Sequence, residues 1–154
     1  YTFIMEKITH TNTAAAIHIS SLFQYCIPFG NFIFPIVIWA TSKDKSEFVD
    51  EQGKEVINFQ ISLFIYSIVL ALIAIPIILF TVFSAVGFDG NHNSEYIIEQ
   101  FNIGELSGAI IFAGIVILLA VVMKIAEFFL IIYGAVKASQ GAHFKYPFTI
   151  NFLK

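Results

Sequence analysis

No Asp, Glu, Lys or Arg occurs from Ile8 to Ser42, from Val56 to Phe88, or from Leu106 to Met123. This pattern constrains the fold more than any motif in the chain. The hydrocarbon core of a bilayer is about 30 Å thick, so a spanning helix needs about 20 apolar residues. The first two stretches exceed that length, and the third reaches it once its apolar continuation past Lys124 is counted. A soluble domain of 154 residues needs a polar shell. Charged residues at 12% and a mean hydropathy of +0.83 do not supply one. The expectation is an all-α integral membrane helical bundle with three long apolar segments, and lipid as its first partner.

A chain of this length has room for one domain. The formal charge is −3, every basic residue is Lys, and no basic patch or acidic tail is dense enough to imply nucleic acid. Cys26 is the single cysteine, which excludes an internal disulfide and a cysteine-built zinc site. Residues 1–13 read as a polar lead carrying Lys7 as its one cation, and residues 14–154 as the membrane domain. The apolar run after the lead is too long for a signal-peptide core and lacks a clear small-residue cleavage site, so no removal is expected.

The first segment, about 14–40, is interrupted by Pro28, Phe29, Gly30 and Asn31, and again by Pro35. Proline removes a backbone donor, and glycine reaches backbone angles that other residues avoid. The spacing predicts short helices over roughly 14–27 and 32–41. Two readings stand, a kinked ordinary span, which is the favoured expectation, and a re-entrant hairpin. A charged loop, 41–55, precedes the second segment, about 56–86. Its small and polar residues, Gln60, Ser67, Ala71, Ala74, Thr81 and Ala85, share one sector suited to close helix packing in lipid, and Pro76 is expected to kink it. An acidic loop, 87–105, leads to the third segment, about 104–138, whose Ala109, Ala113, Ala120, Ala135 and Ala138 share a face. An interfacial tail, 139–154, ends the chain.

Lysine counts set the orientation. Loop 41–55 carries Lys43, Lys45 and Lys54, the tail region Lys137, Lys145 and Lys154, and loop 87–105 none. The positive-inside bias therefore places loop 41–55 and the tail in the cytoplasm and loop 87–105 outside, in a bacterial inner membrane.

Among candidate functional residues, Lys124 and Glu127 carry the most weight. Three residues apart on one helix, their side chains can meet. Ending the membrane at Met123 would leave the run from Phe128 to Tyr133 in water, at about 1.5–3 kcal/mol per large side chain. A central charge costs about 2.5–3.5 kcal/mol, less when paired. Burial wins, so the pair is expected below the membrane surface, facing other helices. It serves either as a self-neutralised packing contact or as a proton or ion relay. His18 makes the first arm polar, with a packing role weighed against a ligand role. Asn58 and Gln60 open the second segment at interfacial depth, where capping or bonding to the loop is expected. Gly141 ends the last helix, and Tyr146 and Pro147 belong to an extended stretch whose rings are expected at headgroup level. No catalytic triad, phosphate loop or metal-ligand motif is present, and no cofactor is implied.

The order of short motifs resembles a known family. His18-x-Ser20, Tyr25-x-x-Pro28-Phe29-Gly30-Asn31, Pro35 and Ile38-Trp39 open it. Lys43, Phe48-Val49-Asp50, Gly53-Lys54-Glu55 and Asn58-Phe59-Gln60 follow, and Ala138-x-x-Gly141 and Tyr146-Pro147 close it. Together they resemble the bacterial membrane proteins grouped with the Tic-type chloroplast inner-envelope import component. That resemblance implies an all-helical membrane domain and, by remote analogy, a translocon-like role. The functional expectation is a non-enzymatic subunit that contacts another membrane protein or itself. The alternative is a small oligomeric channel or carrier using the Lys124–Glu127 pair and the broken first helix.

Overall fold

The computed structural model describes residues 2–86 and 103–154, with side chains from 4 to 83 and, Ala109 apart, from 107 to 154. The described residues form four α-helices and no strand: α1 (Thr2–Ser20), α2 (Gly30–Ser42), α3 (Glu47–Val86) and α4 (Ile103–Ser139). The acidic stretch expected to face outside lies, from 87 to 102, outside the described residues.

Among the described residues, α3 and α4 alone are long and apolar enough to cross a membrane, and their most apolar stretches are almost wholly exposed. A core helix of a soluble protein would be buried there. The exposed faces are therefore suited to lipid, and this is a membrane protein with two candidate spans. The three-segment expectation is corrected at its first member, because α2 has 13 residues and rises only about 20 Å. The helix before it also starts earlier than the sequence suggests, at Thr2 within the polar lead. Within that lead Thr9 and Thr13 return their hydroxyls to the carbonyls of Met5 and Thr9, and Glu6 sits 3.7 Å from His10 one turn on.

The break is longer than Pro28–Asn31 and begins at Ser21, nine residues before α2. After Ser20, whose hydroxyl bonds to the Ile17 carbonyl at 2.7 Å, the chain tightens into a 3₁₀ turn over Ser21–Tyr25. Phe29 then takes a left-handed conformation, φ 61°, before α2 starts at Gly30. A Cβ on Gly30 would lie 2.5 Å from the Phe23 carbonyl oxygen, so only glycine allows the strand of chain after the break to press on the one before it. Pro35 and Pro76 lie inside α2 and α3 without ending either helix. A missing donor in a helix interior bends or weakens it but need not stop it.

A second 3₁₀ turn, Lys43–Lys45, and an extended Ser46 lead into α3. Glu47 and Asp50 fall in its first turn, where the helix dipole favours acids. At the far end of α4, Gly141 (φ 75°) closes the helix: its N–H bonds to the Ala138 carbonyl and that of Ala142 to the Lys137 carbonyl, both at 3.0 Å. This double reversal is the Schellman arrangement that glycine permits.

The chain divides into two compact units. One comprises Tyr1–Ile65 with Lys124–Lys154, and its apolar core is Ile17, Val49, Val56, Phe59, Ile131 and Tyr146. The other is Tyr66–Met123, and its described residues have little interior. Ala74 is buried, while Ser67, Leu72, Phe80, Ile111, Leu118 and Ala120 are exposed. The small-residue faces expected on both helices are thus only partly packed.

Candidate functional site

The polar side chains of the first unit are not scattered. They form three hydrogen-bonded groups, each closing one element of the unit onto another.

The first group contains the expected ion pair. Lys124 Nζ lies 2.8 Å from Glu127 Oε2. Gln24, in the break before α2, bridges both: its Nε2 donates to Glu127 Oε1 at 2.9 Å, and its Oε1 accepts from Lys124 Nζ at 3.2 Å. Each carboxylate oxygen therefore has a donor. Burial is unequal, with Glu127 at 2% exposure and Lys124 at 57%. The sequence supplied the i, i+3 contact but gave no sign of Gln24, which lies 100 residues before Lys124.

The second group centres on His18, fully buried on α1. Its Nε2 is 3.1 Å from Gln52 Oε1 and its Nδ1 is 2.6 Å from the Tyr146 hydroxyl. Gln52 Oε1 also accepts from the Phe144 N–H, which identifies it as the oxygen. An amide oxygen cannot donate, so Nε2 carries the proton and Nδ1 accepts from the Tyr146 hydroxyl. Tyr146 stacks on Phe59 at 4.0 Å between ring centres, with Phe144 on its edge at 4.9 Å. Rings expected at headgroup level are thus inside the unit, Tyr146 fully so, because the tail turns inward after Gly141. Pro147 and Phe148 remain exposed. Gly134 on α4 leaves room for this group: a Cβ there would stand 2.7 Å from His18 Nδ1.

Burial in these surroundings lowers the His18 imidazole to about 4 and pushes the Tyr146 phenol up. The folded protein therefore holds His18 neutral while the unfolded chain takes up a proton near 6.5. Between those values the unfolded state binds more protons. Stability is complete above about 6.5 and falls as the pH drops toward 4, by about 3 kcal/mol in all. Melting in detergent from pH 7 to 4 should show this loss, and His18→Gln, which does not titrate, should lack it. Identical pH profiles for the two proteins would refute the assignment.

The third group clamps the tail. Asn58 Oδ1 accepts from the N–H groups of Phe152 (3.1 Å) and Leu153 (2.8 Å), and its Nδ2 donates to the Leu153 carbonyl at 3.0 Å. Ser62 Oγ accepts from Ile150 N–H at 2.8 Å. An extended segment has backbone groups that no helix satisfies, and these two side chains satisfy four of them. Gln60 instead meets Asn31 on α2 at 2.8 Å. Nearby, Trp39 Nε1 donates to Asp50 at 2.9 Å, and its ring fills the space where a Gly53 side chain would stand.

The structure thus brings His18 together with Tyr146, Asn31 with Gln60, and Lys124 with Glu127. It does not join them into one pocket-lining set. Pro28 and Phe29 are exposed, and Gly30 and Gly141 act through the backbone. Sequence reading missed Gln24, Gln52, Ser62 and Gly134. Of these only Gly134 carried a signal, since a glycine inside an apolar helix costs about 1 kcal/mol relative to alanine and wants a packing reason. Among the described residues no three His, Cys, Asp or Glu side chains are grouped to hold a metal ion.

A family model described as the magnetosome magnetite crystal formation protein family, MamF/MmsF, matches residues 9–153. Comparison with curated proteins and with solved structures gives no match. The match overturns the resemblance to the Tic-type import family and with it the translocon analogy. Of the quoted motif residues, Gly30, Gly53, Asn58 and Tyr146 serve packing and chain reversal in this unit. Matched over almost its whole length, the chain belongs to the MamF/MmsF family of magnetosome magnetite crystal formation proteins.

Proposed function

We propose that this chain is a non-enzymatic membrane protein that serves magnetite crystal formation as an accessory subunit, through contacts with other membrane proteins or with copies of itself. The observation that carries the reading is the family match across 9–153 on a chain whose two longest helices present exposed apolar faces. The exposed apolar side chains of both helices, Leu72, Phe80, Ile111 and Leu118 among them, supply a surface that lipid or another membrane protein can cover.

With α3 and α4 as the two spans, loop 41–55 and the tail share one side, and the lysine bias assigns that side to the cytoplasm. The channel or carrier reading draws on the same polar residues. The mutual bonding of Gln24, Lys124 and Glu127 supports a packing role over a path, because Gln24 joins the break to both charged partners and each oxygen of the buried Glu127 carboxylate has a donor.

Deleting the chain from a magnetite-forming cell should change crystal size or number while the protein, when present, resists alkaline carbonate extraction. Unchanged crystals would sink the proposal. Purification in mild detergent then separates the two modes of action: a stable foreign membrane protein supports the accessory reading, and a clean homo-oligomer supports a self-assembled pore.

A further inference from the structure

We propose that the break between α1 and α2 is a lipid-inserted tip. Phe23, Tyr25, Ile27 and Phe29 lie in the hydrocarbon of the leaflet next to loop 41–55, and the chain enters and leaves the bilayer on that one side. The proposal rests on the membrane reading above and adds a third lipid contact to its two spans.

Four observations carry it. First, α1 and α2 pack against each other, with Phe23 stacked on Phe34 at 4.3 Å and Gly30 pressed on the Phe23 carbonyl, so the two arms fold back instead of continuing in line. Second, the turn between them exposes Phe23, Tyr25, Ile27 and Phe29, and the arms expose Ile19, Ile33, Ile36 and Val37, with no charged residue anywhere from Ile8 to Ser42. Water-facing loops have the opposite composition. Third, the turn meets much of its own backbone demand. Cys26 and Ile27 donate to the Phe23 carbonyl, Gly30 to that of Ile27, and Phe32 and Ile33 to that of Phe29, all at 2.9–3.0 Å. Irregular chain at membrane depth needs such partners within the protein.

The fourth observation is depth. Lys43 Nζ lies 5.2 Å from the Trp39 ring centre, and Lys137 Nζ 5.5 Å from that of Tyr133. Aromatic rings with lysines reaching over them belong at the headgroup boundary. From Trp39 to Gly30, and again from Tyr133 to Lys124, is nine residues, or about 13 Å of helix. That is close to one leaflet of a 30 Å core. Gln24 ties the tip to Lys124 and Glu127 at this level. The arm from Trp39 is too short to reach the far surface, so the segment dips and returns.

Cys26, exposed in the turn and alone in the chain, is the natural reporter. In sealed membrane vesicles of either orientation it should not react with a membrane-impermeant maleimide, and it should react fully once the protein is unfolded in SDS. Lys7→Cys and Lys45→Cys, each in a Cys26→Ser background, should both label from one and the same side. Labelling of Cys26 in sealed vesicles would put the tip in water and overturn the proposal. Labelling of the two engineered cysteines from opposite sides would make the segment a span and overturn it equally. Release of the protein by alkaline carbonate would instead remove the membrane reading on which it rests.

Discussion

Gly134→Ala is expected to lower the stability of the protein in detergent by about 1–5 kcal/mol, against the gain that alanine normally brings to a helix. Two effects of opposite sign meet at this residue. Alanine is favoured over glycine in a helix interior by about 1 kcal/mol. The added Cβ, however, would stand 2.7 Å from His18 Nδ1 and 2.9 Å from both Phe144 Cδ1 and the Tyr146 hydroxyl. None of these is the free end of a flexible chain. His18 is held at both ring nitrogens, and Tyr146 is pinned by the Phe59 ring. Overpacking a filled core costs about 1–3 kcal/mol, and a buried hydrogen bond pushed out of reach adds about 1–3 more. The packing cost wins. Gly114→Ala is the control on the same helix: nothing lies within 4 Å of its new Cβ, so it should be neutral or mildly stabilising. Melting curves in one detergent decide the matter, and equal midpoints for the two variants would refute the close approach of α4 to His18.

The contrast between Gly134 and Gly114 also shows where sequence reading stops. Both are glycines in an apolar run, and nothing local tells them apart. What distinguishes them is a histidine on α1 and a tyrosine in the tail, and His18 and Tyr146 lie 128 residues apart. The spans α3 and α4 were legible because a bilayer imposes a length on charge-free sequence, a constraint that acts along the chain. Gly141 as a helix stop and the Lys124–Glu127 contact were legible for the same reason, since each is decided within a turn or two. The first segment was legible as broken, with a fold-back only as the second of two readings. Its break begins at Ser21, ahead of any proline or glycine, and the decisive contact is between Gly30 and a carbonyl seven residues earlier. The inward path of the tail was invisible because Tyr146 and Phe144 suit a headgroup belt as well as a core. Asn58, Ser62 and Gln52 settle it by satisfying backbone and ring groups of the tail or of His18.

The ion pair offers the sharpest separation of packing from activity. Lys124→Met should be the costliest change in its group, because it leaves Glu127, at 2% exposure, with Gln24 as its one remaining partner. Breaking a fully buried pair costs about 3–5 kcal/mol, and the half-exposed ammonium puts this case near the lower end, at about 3 kcal/mol. Glu127→Gln should cost less. The amide can still accept from the Lys124 ammonium and bond to Gln24, whose Oε1 also accepts from that ammonium, so the remaining charge keeps its acceptors. The double change Lys124→Met with Glu127→Gln should then be milder than Lys124→Met alone, and the difference measures the coupling. Equal losses for the two single changes would mean that the unequal burial of the partners is wrong. Magnetite formation read on the same proteins separates the two roles that an intramembrane pair can have. If the pair only closes the break onto α4, the double variant regains crystal formation along with stability. If the pair relays protons or ions, folding recovers and crystal formation does not, because the titrating carboxylate is gone.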